Sequence, residues 1–316
     1  MSRAELEADL RAGLWADPPS LPPRWFYDER GSRLFDEITT LPEYYPTRAE
    51  REILTARSAQ ILELTGALSI HELGAGTSDK TRALLDALTR GGRGGLYAPL
   101  DISGEVLLET AGQLREEYPT LVVQPAVADF HHLPPLAGGP GERLLAFLGG
   151  TIGNFEEEER SGFLRMVRTA LDPGDHLLLG ADLVKDPGRL VAAYDDAAGV
   201  TAEFNLNLVD VIAATTPVHG LHREDLEHVA VWDEAAARIE MRLRAVRHIE
   251  ADFTGIGRTW RLAKGDHLRT EISRKFRPGE LRAELSAHGL EPVAGWTDAA
   301  EDFSLTLARA VGDGSG

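Results

Sequence analysis

From residue 69 to about 200, short apolar runs alternate with stripes of helical period. A run ends at Leu73, a helical stripe follows over about 79–90, and a second run covers 96–100. A helix near 104–117, runs over 121–126 and 144–148, a helix near 156–171 and a run over 176–183 continue the pattern. This spacing predicts βαβ units feeding a parallel sheet. Asp186-Pro187 then predicts the start of another helix, carrying Leu190, Val191, Tyr194 and Ala197 on one side.

The flanks read differently. Residues 1–65 are helical with loops, broken by Pro18, Pro22, Pro23, Pro42 and Pro46, and they carry Tyr27, Tyr44 and Tyr45. After about 200 the period drops to two. Over 238–246, Ile239, Met241, Leu243 and Ala245 alternate with Glu240, Arg242 and Arg244. Over 267–276, Leu268, Thr270, Ile272, Arg274 and Phe276 alternate with Arg269, Glu271, Ser273 and Lys275. Both runs predict antiparallel strands of an insert. A helix over 278–289 and strands over 292–296 and 303–308 return to the first pattern. The expected organisation is an N-terminal helical segment (1–65), an α/β core (66–200), an α+β insert of antiparallel strands (201–276) and a closing segment (277–316).

Composition narrows the chemistry. The chain has 316 residues, 43% of them hydrophobic, which suffices for a sizeable core. Its 51 acids against 33 bases give a formal charge of −18, which repels phosphate backbones and anionic lipid heads. No nucleic acid and no membrane is expected as a partner, and small-molecule chemistry is left. The absence of Cys removes disulfides, thiolate metal sites and a cysteine nucleophile. No apolar run is long enough to span a bilayer, so the expected compartment is the cytoplasm. His131-His132 are adjacent and therefore diverge, and the histidines from His222 to His228 read as solvated loop residues; no metal is expected.

The candidate chemistry sits at strand ends. Glu72-Leu-Gly-Ala-Gly-Thr-Ser-Asp-Lys80 closes the first run, and Gly74 and Gly76 permit a tight turn close to a ligand. Thr77 to Asp79 are expected to cap the following helix. The third glycine of a dinucleotide loop is replaced by Asp79 beside Lys80, a pair that suits the zwitterionic end of S-adenosylmethionine better than a pyrophosphate. Asp101, at the next strand end, is placed to accept hydrogen bonds from ribose hydroxyls or to cap a helix. Asp129-Phe130 follow the third, where an acid and a ring suit adenine. The fourth ends in Gly149-Gly-Thr151-Ile-Gly-Asn154, whose bared backbone, hydroxyl and amide suit an amine and a carboxylate.

Longer motifs add to this. Ser20-Leu-Pro-Pro-Arg-Trp-Phe-Tyr27, Leu41-Pro-Glu-Tyr-Tyr-Pro-Thr-Arg48, Glu72-Leu-Gly-Ala-Gly-Thr-Ser78 and Phe147-Leu-Gly-Gly-Thr-Ile-Gly-Asn154 are four of them. Asp182-Leu-Val-Lys-Asp186, Ala193-Tyr-Asp-Asp-Ala-Ala-Gly-Val-Thr201 and Lys275-Phe-Arg-Pro278 extend the set over nearly the whole chain. Together they resemble the histidine Nα-methyltransferase family of ergothioneine biosynthesis. The resemblance implies a Rossmann-like, S-adenosylmethionine-dependent methyltransferase sheet with an inserted α+β substrate-binding domain. It implies an enzyme that trimethylates the α-amine of free L-histidine, by way of the mono- and dimethylated forms, to hercynine; a monomer is expected. Gly74, Lys80, Asp101, Asp129 and Phe130 match the donor-binding places. Asn154 and Tyr194 match residues that hold the histidine carboxylate, and Tyr27, Gly149 and Thr151 match those around its amine. Tyr44, Met241, Glu271 and Ser273 match the imidazole pocket, although without the resemblance Glu271 reads as half of a surface ion pair.

Overall fold

The computed structural model describes residues 2–92, 94–128, 133–136, 138 and 141–312. In chain order its helices are α1 (Arg3–Gly13), α2 (Glu29–Ile38), α3 (Pro46–Thr65), α4 (Arg82–Thr89) and α5 (Gly104–Glu117). They continue with α6 (Glu157–Ala170), α7 (Pro187–Tyr194), α8 (Val200–Thr215) and α9 (Pro278–Ala287). The strands are β1 (Ser69–Leu73), β2 (Gly95–Asp101), β3 (Leu121–Val123), β4 (Ala126–Val127), β5 (Arg143–Phe147), β6 (His176–Asp182) and β7 (Val218–His219). After them come β8 (Leu226–Asp233), β9 (Arg238–Ala245), β10 (Ile249–Phe253), β11 (Arg258–Leu262), β12 (His267–Arg274), β13 (Leu290–Thr297) and β14 (Phe303–Ala310). These form two compact units, Pro46–Val184 with Lys275–Gly316 and Met1–Tyr45 with Lys185–Arg274.

The first unit holds a mixed sheet in the order β13-β14-β6-β5-β1-β2-β3, with β4 also on β2. The pairs among β1, β2, β3, β5 and β6 are parallel, while β14 runs antiparallel to β6 and β13 antiparallel to β14. Central strands covered on both faces favour apolar side chains on both, which is why β5 and β6 read as Leu-rich runs without alternation. The run over 121–126 is split into β3 and β4 around Gln124-Pro125, because Pro125 has no N–H to give to the ladder. From β1 the chain winds outward to β2 and β3 on one side and returns through β5 to β6 on the other. The switch point therefore lies between β1 and β5, the place where open sheets of this kind bind ligands.

The second unit has two three-stranded sheets, β12-β9-β8 and β11-β10-β7, with α1, α2, α7 and α8. Its core includes Phe26, Phe204, Leu208, Met241, Leu243 and Phe253. The α+β insert expected after 200 opens with a 16-residue helix, α8, for which the sequence pattern marked no specific stretch. That helix is buried on most of its circumference, from Val200 and Phe204 to Val209, Val211 and Ile212, so it shows no amphipathic stripe to betray it.

Where the chain leaves the first unit and where it re-enters it are tied together. Phe276 N–H donates to Asp182 C=O at 2.8 Å and Val184 N–H to Phe276 C=O at 3.1 Å. Lys275 has no exposed surface, and its Nζ lies 2.8 Å from Asp182 Oδ2, itself nearly buried. Lys275→Ala would remove a buried cation paired with Asp182, and chemical denaturation should register a loss of about 3 kcal/mol or more. A loss below about 1 kcal/mol would mean that Asp182 is satisfied by other groups.

Candidate active site

The loop after β1 turns on Gly74 and Gly76, with φ of +69° and +51°. Gly74 and Ala75 donate to Leu100 C=O at 2.8 and 3.2 Å, which presses the loop against the end of β2. Asp101 fastens it there: Oδ2 accepts from Gly76 N–H at 2.9 Å and Oδ1 from Ser103 N–H at 2.8 Å. One carboxylate thus holds both the glycine loop and the turn into α5, and each oxygen keeps a second acceptor site for a ribose hydroxyl. The expected cap at Thr77–Asp79 is displaced. Ser78 is left-handed (φ 53°) and bonds Tyr97 through its hydroxyl, Asp79 pairs with Arg82, and α4 begins at Arg82 behind Thr81. Thr81 caps nothing because its hydroxyl donates to Glu72 Oε1 at 2.6 Å. Asp129 and Phe130 lie outside the described residues, as do His131 and His132.

Two buried acids surround the foot of this loop. Glu72 accepts from Thr81 and Tyr97, and burial pushes its carboxyl up to about 7, against a smaller opposing pull from those bonds and from Lys80. Glu50, on α3, has no exposed surface. It pairs with Lys80 Nζ and accepts the Gly149 N–H at 2.8 Å through Oε1 and 3.0 Å through Oε2. Gly180 makes room for it, since a Cβ at that position would collide with Glu50 Oε1. Sequence reasoning missed Glu50. Its signal was an acid on the same helical stripe as Ile53 and Leu54, both buried. Gly149 is left-handed (φ 79°), and a Cβ there would stand 3.5 Å from both Lys80 Nζ and Thr151 Oγ1. Thr151 Oγ1 donates to Leu148 C=O at 3.2 Å, and Asn154 ends the short 3-10 turn that Thr151 begins.

The other proposed residues belong to the second unit. Aromatic rings form a connected series there: Tyr27 to Phe35 at 5.6 Å, Phe35 to Tyr44 at 6.3 Å and Tyr44 to Tyr194 at 6.2 Å, all edge to face. Tyr194 OH lies 2.7 Å from Ser273 Oγ. The position of Glu271 depends on a β-bulge. Arg269 pairs with Arg242, but Glu271 pairs with Met241, so Thr270 is an extra residue in β12. Plain alternation would set Glu271 opposite Glu240. The bulge sets it opposite Met241, and Ser273 opposite Ile239, on the buried face of β9. Glu271 is half-buried and is not the surface acid that its charged neighbours suggested. His228 also departs from expectation: it lies on β8 with a side chain only 2% exposed, not in a solvated loop.

The family profile described as "Histidine-specific methyltransferase, SAM-dependent" matches residues 6–310. The chain belongs to this family. It is 46% identical to a histidine N-alpha-methyltransferase of Mycolicibacterium smegmatis, over 96% of this chain and 94% of the other. It is 32% identical to ergothioneine biosynthesis protein 1 of Neurospora crassa, over 89% of this chain and 32% of that longer protein. Among solved structures, an S-adenosylmethionine-dependent methyltransferase from Clostridium acetobutylicum superposes with a TM-score of 0.51 at 10% identity. That match covers 89% of this chain and 99% of the other, and shows the shared fold.

In a methyltransferase of this family the donor is S-adenosylmethionine, and the switch-point residues fit it. A diphosphate would meet two buried carboxylates, Glu50 and Glu72, with Lys80 already paired to the first. A zwitterion offers an ammonium for an acid and a carboxylate for the lysine, and Asp101 retains acceptor capacity for a sugar diol. Among the described residues no group of His, Asp or Glu is arranged to hold a metal ion, and no helix is long and apolar enough to cross a membrane.

Glu50→Ala would free the Lys80 ammonium and strip the Gly149 N–H of its acceptor. Calorimetry should show S-adenosylhomocysteine binding weakened roughly tenfold, with Glu50→Gln between it and wild type because the amide oxygen still accepts. Unchanged affinity in both variants would reduce Glu50 to a scaffold residue. Glu72 governs a pH effect. Its carboxyl is raised in the fold from 4.5 to about 7, so the folded state holds the proton more tightly. Its stabilising contribution is therefore intact below pH 4.5, declines as pH rises to 7 and is flat beyond, a span on the order of 3 kcal/mol. Glu72→Gln should remove that decline, so the stability difference between variant and wild type should drift in the variant's favour from pH 5 to pH 8.

Proposed function

We propose that this chain methylates the α-amine of free L-histidine three times, through the mono- and dimethylated forms, to give hercynine, the first step of ergothioneine biosynthesis. Membership of the histidine-specific family and the relatives named above support the reaction. The observation that carries the acceptor is the bulge, which turns one acid, Glu271, and one hydroxyl, Ser273, onto the face of the sheet that carries Met241. Such a pair suits a planar ring with an N–H at its edge.

The roles follow from chemistry. Glu271 accepts the imidazole N–H, Ser273 bonds the ring, and Met241 and Tyr44 wall it. Tyr194 and Asn154 hold the carboxylate. Gly74, Lys80, Asp101, Asp129 and Phe130 hold the donor, which when bound supplies an electrophilic methyl on a sulfonium. The chain's own task is to present a neutral amine with its lone pair aimed and water excluded, and no covalent enzyme intermediate is needed. Tyr27 or a water takes the proton that the amine, an ammonium in free histidine and again after the first and second transfers, must lose before each of the three methylations. Gly149 leaves space for the growing methyl bulk, and Thr151 orients the amine. The insert at 201–276 serves as the substrate-binding domain, with the N-terminal segment contributing Tyr27 and Tyr44. The enzyme acts as a monomer in the cytoplasm.

Purified protein incubated with S-adenosylmethionine and each amino acid in turn should add three methyl groups to histidine, read as product mass. Preferential turnover of another amino acid would overturn the acceptor. Glu271→Ala should weaken histidine by about 2 kcal/mol, roughly thirtyfold, and relax discrimination against apolar amino acids, while donor affinity stays near wild type. Retention of wild-type histidine affinity and selectivity would remove Glu271 from the ring pocket.

A further inference from the structure

Three side chains with no role in the acceptor assignment, Asn205, Thr270 and His228, form one buried polar chain inside the second unit. Asn205 and Thr270 have no exposed surface, and the His228 side chain is 2% exposed. His228 Nε2 lies 2.8 Å from Tyr194 C=O, and Nδ1 lies 2.8 Å from Asn205 Nδ2. Asn205 Nδ2 also reaches Arg242 C=O at 3.2 Å. Thr270 Oγ1 is 2.7 Å from Asn205 Oδ1 and 3.0 Å from Met241 C=O.

The direction of every bond is fixed. A carbonyl only accepts, so Nε2 carries the hydrogen and Nδ1 is the acceptor. Burial pushes the His228 imidazole below its usual range and keeps it neutral, against a smaller opposing effect of the bond to Tyr194. Asn205 must then donate to His228 and to Arg242 C=O, while the single Thr270 hydroxyl hydrogen is shared between two acceptors, Asn205 Oδ1 and Met241 C=O. The chain ends on three backbone carbonyls, those of Tyr194, Arg242 and Met241, and its hydroxyl belongs to Thr270, the extra residue of the bulge just before Glu271.

We infer that Asn205, His228 and Thr270 are positioning residues for acceptor selectivity, which lock Tyr194 and hold the bulge that turns Glu271 toward Met241. The inference rests on the proposed acceptor site. A bulge residue gains nothing from the strand ladder, so it needs an anchor of its own, and the Thr270 hydroxyl supplies it. Without that anchor β12 is free to pair in unbroken alternation, which brings Glu271 opposite Glu240 and takes it off the Met241 face.

The test compares near-isosteric variants by steady-state kinetics. Thr270→Val removes only the hydroxyl. It should raise the KM for histidine about tenfold and narrow the preference for histidine over leucine and tryptophan, while calorimetric affinity for S-adenosylhomocysteine stays within twofold. Thr270→Ser should restore KM to within about threefold. His228→Gln can still donate to Tyr194 C=O and should resemble wild type, whereas His228→Asn is too short to reach it and should behave like Thr270→Val. These two differ by one methylene and keep the comparison valid if Thr270→Val folds poorly. Wild-type KM and selectivity in both Thr270→Val and His228→Asn would overturn the inference, as would equal losses in His228→Gln and His228→Asn. Failure of the underlying reading shows separately, as wild-type preference for another amino acid. The positioning role then stands only if the same variants raise the KM for that amino acid and spare the donor.

Discussion

A carboxylate enclosed where water cannot reach must be neutralised by its surroundings, and Glu50 meets that condition with one cation and one backbone donor. Lys80 comes from the loop after β1, and the Gly149 N–H from the turn after β5. The acid itself stands on α3, and the sheet admits it because Gly180 in β6 has no side chain. Three elements around the switch point are thus held in mutual register by a single charge, since displacing α3, the Lys80 loop or the Gly149 turn would leave that charge partly unpaired in a low-dielectric interior. This pairing orients Lys80, and the turn carrying Thr151 and Asn154 hangs from Gly149.

The second unit solves a different problem. The proposed acceptor pocket needs apolar walls for exclusion and a few polar groups for orientation. The walls are supplied by ordinary core chemistry, with the rings of Tyr27, Phe35, Tyr44 and Tyr194 packing edge to face in series. The polar groups cannot come from regular alternation, because a strand that buries Leu268 turns its next-but-odd neighbours outward. One inserted residue reverses the parity midway, so β12 buries Leu268 at one end and presents Glu271 and Ser273 toward the same face at the other. The cost is an unpaired backbone position, offset by the hydroxyl of Thr270 and the buried amide and imidazole behind it.

Insertion of one unit into another also leaves a mark. The chain departs after β6 and returns at Lys275, and the backbone bonds between Asp182, Val184 and Phe276 close the gap so that β6 and β14 experience an almost continuous sheet. The buried Lys275 and Asp182 pair at that seam, which accounts physically for a lysine opening the Lys275-Phe-Arg-Pro278 motif at a position where a core residue would be simpler.

Much of this was legible in the chain. The parallel sheet announces itself through unbroken apolar runs and interleaved helical stripes, the glycine loop through its spacing, and the family through motifs long enough to exclude coincidence. Asp101 at a strand end and the polar turn from Gly149 to Asn154 were identifiable for the same reason: local sequence dictates local backbone, and topology then places strand ends together. The remainder was decided by tertiary structure. Helix α8 has no stripe because it is wrapped on most sides; Glu50 and His228 look like surface or loop residues until their partners, distant in sequence, are seen. The bulge at Thr270 leaves the period-two pattern intact on either side of it, so the parity that puts Glu271 with Met241 can be read only from the strand beside it. Periodicity reports which face a residue shares with its neighbours in sequence, whereas which face is buried, and which charge is paired there, depends on elements that the local pattern does not contain.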